Sequence, residues 1–275
     1  MMVKIAALVG ALLMLNACMQ ESAVSEASAA DTEQAQTLRI AAAANLSDVL
    51  PKIIAGYKKD NNLPAQTIHD IDVTYASSGK LYAQIIAGAP YDIFLSANQE
   101  FPAKLADTSA QGVTFHEPFT YAQGQLALYS VTKPLAERSP TALIERLMSD
   151  TTAKITIANP KLAPYGASAK SYLQAQKIYN TLEQQKRLIQ AENIGQAFQY
   201  VYTGNVDYGF VAQSQLTAIN AKPEQFITLA PASYPAILQD GIVIGDSAMA
   251  TDFSDYLLST AGQQHFLQAG YLTAQ

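Results

Sequence analysis

Three short segments of small and polar residues offer hydrogen-bond donors in a repeated sequence context. Each one follows an apolar run that predicts a strand and leads into a run with helical periodicity. They are residues 41–47, 75–80 and 159–168. The first turn of a helix leaves N–H groups unpaired and carries partial positive charge, so it attracts anions without a formal charge. The three segments together predict a site for an oxyanion.

Ordinary helix capping is the alternative interpretation of the same polar side chains. Asn and Ser oxygens accept hydrogen bonds from first-turn N–H groups, and Asn45, Ser47 and Ser78 stand where such caps would. A single junction favours capping. Three junctions in one chain favour a shared anion.

One motif suggests enzymatic chemistry. Residues 77–80 read Ser-Ser-Gly-Lys, which formally matches the SxxK nucleophile motif of penicillin-binding proteins and serine β-lactamases. Because the partner motifs KTG and SDN are missing, a serine acyl enzyme is a remote alternative. His69, His116 and His265 lie far apart, and no HExxH, CxxC or Walker A spacing occurs. The sequence therefore predicts no metal ligands, no cofactor and no enzymatic activity.

Charge and composition exclude other classes of function. The chain has 275 residues, of which 49% are hydrophobic, with 17 basic and 23 acidic residues and a net charge of −6. Nucleic-acid binding requires a basic surface, so we expect no nucleic-acid partner. The negative balance disfavours long-range attraction of an anion, but it does not weaken a local site built from neutral donors.

The elements that must position these segments alternate between strand and helix. We predict strands at 38–42, 72–76, 92–96, 154–158, 188–191, 208–211, 227–229 and 236–244. We predict helices at 46–58, 80–87, 100–106, 141–148, 166–176, 195–203, 250–259 and 262–269. Between the two series, the β-rich runs FTYA and QLALYS flank Gln123 and Gly124. This order predicts an α/β protein with mostly parallel sheets flanked by helices.

Two α/β series of similar size predict two lobes. Residues 38–122 form the first part of lobe 1, residues 123–235 form lobe 2, and residues 236–275 return to lobe 1. The chain crossings near 121–129 and 236–244 are candidate hinge strands. Ligands of open α/β sheets bind beyond the carboxyl ends of the strands, so we expect the site between the lobes.

The N-terminus carries an export signal. Lys4 precedes an apolar run, residues 5–15, that is too short to span a bilayer, and Cys18 is the only cysteine. The segment resembles a bacterial lipoprotein signal in which residues 1–17 are removed and Cys18 is lipidated; an ordinary secretory signal is the alternative. Residues 18–37, rich in Ala, Ser, Glu and Gln, predict a flexible tether, or alternatively a short helix. Without Lys4, 16 basic and 23 acidic residues leave a mature net charge of −7.

Longer stretches around the three segments carry a family resemblance. AAAANLSDVLPKI, YASSGKLYAQIIAGAPYDIFLSAN, IANPKLAPYGASAKSYL and YLLSTAGQQHFLQAGY resemble the periplasmic molybdate-binding proteins of ABC importers. The similarity runs from about Leu38 to the C-terminus. It implies a type II-like periplasmic-binding-protein fold, whose two α/β lobes close on molybdate or tungstate. A receptor for sulfate, thiosulfate or another tetrahedral oxyanion is the alternative within this fold.

The resemblance also implies which residues hold the anion. Asn45 contacts it after the first strand, and Ser78 contributes its hydroxyl and amide. Tyr165 and Ile194 contribute backbone N–H groups. Some members add a tyrosine hydroxyl where this chain has Ala212, so that hydrogen bond is either lost or offset by Asn45.

The implied setting is the periplasm of a Gram-negative-type bacterium. The resemblance predicts a monomer that is tethered to the membrane by its lipid and delivers its anion to an ABC permease.

Overall fold

The computed structural model describes residues 37–61, 71–108, 113–135 and 139–273. The predicted signal (1–17), Cys18, His69 and all of the predicted tether except Thr37 lie outside these ranges. Within the described ranges, no helix combines the length and the apolar character needed to cross a membrane.

The described chain alternates between strands and helices. The strands are β1 (Leu38–Ala43), β2 (Ile71–Ala76), β3 (Ile93–Leu95), β4 (Phe119–Gly124), β5 (Leu126–Tyr129), β6 (Ile155–Ala158), β7 (Leu188–Ala191), β8 (Tyr208–Ala212), β9 (Phe226–Thr228) and β10 (Ile237–Val243). The helices are α1 (Leu50–Asp60), α2 (Ser78–Ile86), α3 (Glu100–Ala106), α4 (Pro140–Ser149), α5 (Pro164–Ala175), α6 (Tyr179–Gln184), α7 (Ile194–Tyr202), α8 (Gln213–Ala218), α9 (Ala248–Leu258) and α10 (Thr260–Gln268). Short 3-10 turns occupy Ala44–Leu46, Pro223–Gln225 and Pro231–Ser233.

The strands form two five-stranded sheets with the same pattern. Sheet 1 has the order β2-β1-β3-β10-β4, and sheet 2 has the order β7-β6-β8-β5-β9. In sheet 1 only β10 runs against the other strands, and in sheet 2 only β5 does. The prediction of mostly parallel sheets flanked by helices in two lobes is therefore confirmed.

Two chain crossings connect the sheets. The chain leaves sheet 1 after β4 and enters sheet 2 as β5, and it returns from β9 to sheet 1 as β10. The strand that follows each crossing is the antiparallel one. The predicted lobe boundaries remain a prediction, and β4 continues through Gly124, past the boundary predicted after residue 122.

The first predicted helix begins later than expected. The sequence predicted a helix over 46–58, whereas a 3-10 turn covers Ala44–Leu46 and α1 begins at Leu50. Pro51 is the reason, because proline has no N–H and fits only in the first turn of a helix. The prediction also missed α6 and α8, which at six residues each are too short for a helical repeat to stand out.

Tyrosine supplies much of the large aromatic volume of the core, since the chain has 15 Tyr and no Trp. Tyr121, Tyr165 and Tyr172 are almost fully buried. Burial, aided by neighbouring hydroxyl groups, raises the pKa of Tyr121 and Tyr165 well above the ordinary range. Burial and the nearby Asp48 carboxylate raise the pKa of Tyr75 to about 12.

These tyrosines predict a loss of stability at alkaline pH. A tyrosine with a raised pKa keeps its proton longer in the folded protein than in the unfolded chain. Its contribution to the free energy of unfolding is therefore complete below about pH 10, the pKa of an unfolded tyrosine. That contribution is lost as the pH rises through the pKa of the folded state. We expect the free energy of unfolding, measured by denaturant titration, to fall above pH 10. Tyr75→Phe should make that fall less steep, and a flat profile up to pH 12 would contradict the assignment.

Candidate functional site

Residues that end or follow five strands line one cavity between the two sheets. The strands are β1, β2 and β3 of sheet 1 and β6 and β7 of sheet 2, so the cavity lies at carboxyl ends, as open α/β sheets favour. Its volume is about 200 Å³, including its opening to solvent. The lining residues are Ala43, Ala44, Asn45, Ala76, Ser77, Ser78, Ala97, Ala163, Pro164, Tyr165, Asn193 and Ile194, a set without Asp, Glu, Lys or Arg.

All four residues predicted to hold the anion are among them. Asn45 lies in the 3-10 turn after β1, Ser78 is the first residue of α2, Tyr165 is the second residue of α5, and Ile194 is the first residue of α7. Three helix first turns therefore meet at one cavity, and the first N–H groups of a helix have no partner within it. Their role as anion ligands remains a prediction.

Ser78 has a hydroxyl proton to offer the cavity. The residue is 1% exposed, and its Oγ accepts a hydrogen bond from the N–H of Ala97 at 2.9 Å. Accepting this bond leaves the hydroxyl proton free to donate elsewhere. Ala97, which follows β3 within the quoted stretch FLSAN, thus orients Ser78. Sequence reasoning did not single it out.

The capping alternative does not describe the first two junctions. The N-cap position of the 3-10 turn is Ala43 and that of α2 is Ser77, and neither makes a side-chain capping bond. Asn45 lies two positions after its N-cap and Ser78 one position after its own, so both are inside the first turn. Their side chains are consequently not used as helix caps.

The Asn45 side chain is held by two residues from the last part of the chain, one on β10 and one after α10. Its Nδ2 donates to Gln239 Oε1 and to the Tyr271 hydroxyl, both at 2.9 Å. The Tyr271 hydroxyl in turn donates to the Asn45 carbonyl at 2.8 Å. The Asn45 Oδ1 is buried and has no partner among the described residues. The amide is therefore fixed at one end only.

Two of the hydrogen bonds that join the lobes lie at the start of α2. The Gly79 N–H donates to the Leu162 carbonyl at 2.9 Å, and Ser77 Oγ donates to Glu192 Oε1 at 2.9 Å. A Cβ on Gly79 would lie 3.1 Å from Leu162 Cα, which is tighter than ordinary van der Waals contact. The absence of a side chain at Gly79 thus lets α2 approach the facing loop.

The SxxK pairing is not formed in this structure. Ser77 is bonded to Glu192, while Lys80 is exposed and does not line the cavity. The other Glu192 oxygen accepts from Asn193 Nδ2. Both carboxylate oxygens of the one acidic residue in the AENIGQAF segment are therefore engaged.

The remaining predicted position, Ala212, is fully buried at the end of β8 and does not line the cavity. Gln239 and Tyr271 were missed by sequence reasoning. A polar Gln-Asp pair inside the apolar run 236–244 was the available signal for Gln239. Among the described residues, no group of three His, Cys, Asp or Glu side chains is placed to hold a metal ion.

Comparison with known proteins identifies a family match along most of the chain. The model of the family described as "Bacterial extracellular solute-binding protein" matches residues 38–272. This span covers both sheets and every residue that lines the cavity.

Two relatives and one solved structure are similar over most of their length. The molybdate-binding protein ModA of Azotobacter vinelandii is 31% identical over 242 residues, which cover 86% of this chain and 90% of that protein. ModA of Rhodobacter capsulatus is 31% identical over 212 residues, covering 76% and 79% respectively. The structure of the A. vinelandii periplasmic molybdate-binding protein superposes with a TM-score of 0.74 at 29% identity. It covers 86% of this chain and 100% of its own.

The cleft contact at Gly79 predicts the effect of adding one methyl group. In Gly79→Ala, the preference of alanine for the helix offsets a 3.1 Å contact between the new Cβ and Phe101 Cζ, so the melting temperature without ligand should change little. The new Cβ would crowd Leu162 when the lobes close, and overpacking of this kind should lower affinity for an anion such as molybdate about tenfold. Calorimetric titration measures this, with exposed Lys80→Ala in the same turn as control. Unchanged affinity in Gly79→Ala would show that bound lobes do not approach so closely.

Proposed function

Because the chain belongs to the bacterial extracellular solute-binding protein family, we propose that it captures molybdate between its lobes for delivery to an ABC permease. The observation that carries this proposal is the uncharged cavity on which the first turns of α2, α5 and α7 converge. Two relatives named as molybdate-binding proteins, each 31% identical, support the choice of ligand.

The mechanism follows from where the donors lie. Buried charge needs hydrogen bonds to replace its water, and here the Ser78 hydroxyl and first-turn N–H groups supply them. Asn45 and Ser78 belong to lobe 1, whereas Tyr165 and Ile194 belong to lobe 2. An anion that bonds to both lobes binds the closed form more tightly than the open form and so shifts the population towards closure. No bond is made or broken, so the protein is not an enzyme.

Selectivity comes from cavity size and from a lining without a carboxylate. Sulfate is smaller than molybdate and would leave some donors poorly engaged, whereas tungstate is nearly the same size and should bind. Phosphate carries a proton at neutral pH, which needs an acceptor. The nearby Glu192 carboxylate is bonded to Ser77 and Asn193 and does not line the cavity, so it is not placed to accept that proton.

We also infer the cellular setting from the sequence. Removal of residues 1–17 and lipidation of Cys18 would leave a monomer tethered on the periplasmic side of a membrane. Stable anchoring requires more than one acyl chain, which lipoprotein processing supplies.

Ligand-dependent melting tests the proposal. Molybdate and tungstate at a thousand times the dissociation constant should each stabilise the protein by about 4 kcal/mol, because they bind only the folded state. Differential scanning calorimetry with equal concentrations of molybdate, tungstate, sulfate and phosphate makes the comparison. A shift with sulfate alone would favour the sulfate receptor, and no shift with molybdate or tungstate would reject the proposed function.

A pair of neighbouring variants tests whether neutral donors hold the anion. Ser78→Ala removes a hydroxyl that lines the cavity, and loss of a hydrogen bond to a charged group should lower molybdate affinity about tenfold or more. Lys80→Ala removes an exposed charge outside the cavity and should change affinity less than threefold. Ser78→Ala also removes the bond from the Ala97 N–H. The melting temperature without ligand shows whether that loss destabilises the fold, independently of any change in affinity. A collapse of affinity in Lys80→Ala would instead show that a formal charge carries recognition.

A further inference from the structure

Gln239 connects two proposed anion ligands that belong to opposite lobes. Its side chain on β10 is fully buried and does not line the cavity. Its Oε1 accepts from Asn45 Nδ2 at 2.9 Å and from the Tyr121 hydroxyl at 3.1 Å. Its Nε2 donates to the Tyr165 hydroxyl at 3.1 Å. One carboxamide thus links the turn after β1 to the first turn of α5.

The backbone around Gln239 is shaped for these contacts. The pairing of β10 with β4 shifts register between Gln239 and Asp240, and such a bulge redirects a side chain. On β4, Gly124 leaves the necessary space. A Cβ there would lie 2.2 Å from the Tyr165 hydroxyl oxygen and 2.7 Å from Gln239 Nε2. A glycine on one strand and a bulge on its neighbour therefore allow Tyr165 and Gln239 to meet.

The orientation of the Asn45 amide matters for an anion. In this structure Nδ2 is bonded to Gln239 and Tyr271, and the unpartnered end of the amide is Oδ1. Asn45 lines the cavity and is 1% exposed. A carbonyl-type oxygen is an acceptor only, so it would repel an unprotonated oxyanion.

A second arrangement of the same atoms reverses this polarity. A half-turn of a carboxamide exchanges its nitrogen and oxygen while keeping its shape. If both amides turn, Gln239 Nε2 donates to Asn45 Oδ1 and to the Tyr121 hydroxyl, which still donates to the Ser96 carbonyl. Gln239 Oε1 then accepts from the Tyr165 hydroxyl. Every contact to Gln239 is kept. The Tyr271 hydroxyl turns its one proton from the Asn45 carbonyl to Oδ1, and the Asn45 carbonyl keeps its bond from Ser214 Oγ. The free end of Asn45 becomes Nδ2, a donor.

We propose that Gln239 is a specificity-determining residue that sets which end of the Asn45 amide faces the cavity, and that oxyanion binding selects the arrangement with Nδ2 free. This inference rests on the proposed function of the same site. Gln239 can serve both arrangements because its side chain has a donor and an acceptor. A residue with only acceptors cannot, since it would always hold Asn45 by Nδ2.

The test is a double-mutant cycle between Gln239 and Asn45. In Gln239→Glu, the nearly isosteric carboxylate accepts from Nδ2 and leaves Oδ1 towards the anion. Molybdate affinity should fall about a hundredfold, measured by calorimetric titration of the full chain at neutral pH. Asn45→Ala alone should lower it about tenfold. In the Asn45→Ala background, adding Gln239→Glu should lower it less than threefold further, because the amide that mediates the effect is gone.

Coulombic repulsion and misfolding give different results. If the new charge simply repelled the anion, Gln239→Glu would lower affinity equally with and without Asn45, which would overturn the proposal. Gln239→Met, a neutral substitution of similar length, covers the case in which the Glu variant does not fold. It leaves the Tyr271 hydroxyl as the one remaining side-chain partner of the Asn45 amide, which no longer fixes either arrangement as firmly, so affinity should fall about fivefold with Asn45 present and not at all in Asn45→Ala. Equal loss in both backgrounds, or none in either, would also overturn it.

Phosphate gives a readout that a purely structural role would not move. An Oδ1 facing the cavity could accept the phosphate proton, so Gln239→Glu should raise the ratio of phosphate affinity to molybdate affinity at least tenfold. An unchanged ratio would count against the proposal.

The natural protein is titrated first with molybdate, tungstate, sulfate and phosphate. If it binds none, the proposed function fails and the inference with it. Binding by the natural protein with an additive cycle rejects the inference alone.

Discussion

Convergence of helix first turns on one cavity is the constraint on which the rest of this structure depends. The lining residues carry no formal charge, so an anion buried there must be held by hydrogen-bond donors alone. The first turns that supply these donors follow the ends of strands. The strand ends of a single sheet lie along one edge and cannot surround a ligand. Two sheets must face each other, which the crossings from β4 to β5 and from β9 to β10 make possible.

Small residues are the second requirement of such a site. Five of the lining residues are alanines: Ala43, Ala44, Ala76, Ala97 and Ala163. A larger side chain at these positions would fill the space that backbone N–H groups need to approach a ligand. Gly79 meets the same need across the cleft, where its N–H reaches the Leu162 carbonyl. Sequences such as AAAAN and YASSG are therefore consequences of where the backbone must come close.

Local sequence patterns predicted most of the fold, because strands and helices leave a periodic record of burial. The errors occurred where a nearby proline moved the start of a helix, or where a helix was too short for its periodic pattern to be visible. Pro51 delays α1, and the six-residue helices α6 and α8 are too short to show a repeat. The four proposed ligand residues were reached through motifs at strand ends. Their partners Ala97 and Tyr271 could not be reached in that way, since each is joined to its ligand residue by a contact distant in sequence.

The sequence by itself determined the α/β alternation, the neutral character of the three junctions and the approximate positions of the longer helices. These properties depend on interactions between near neighbours in the chain. Only the tertiary structure decided that Ser77 pairs with Glu192 instead of Lys80 and that Gln239 holds Asn45 from 194 residues away. A buried polar group must find its partners wherever the fold places them. That choice is made by proximity in space, which a linear pattern does not record.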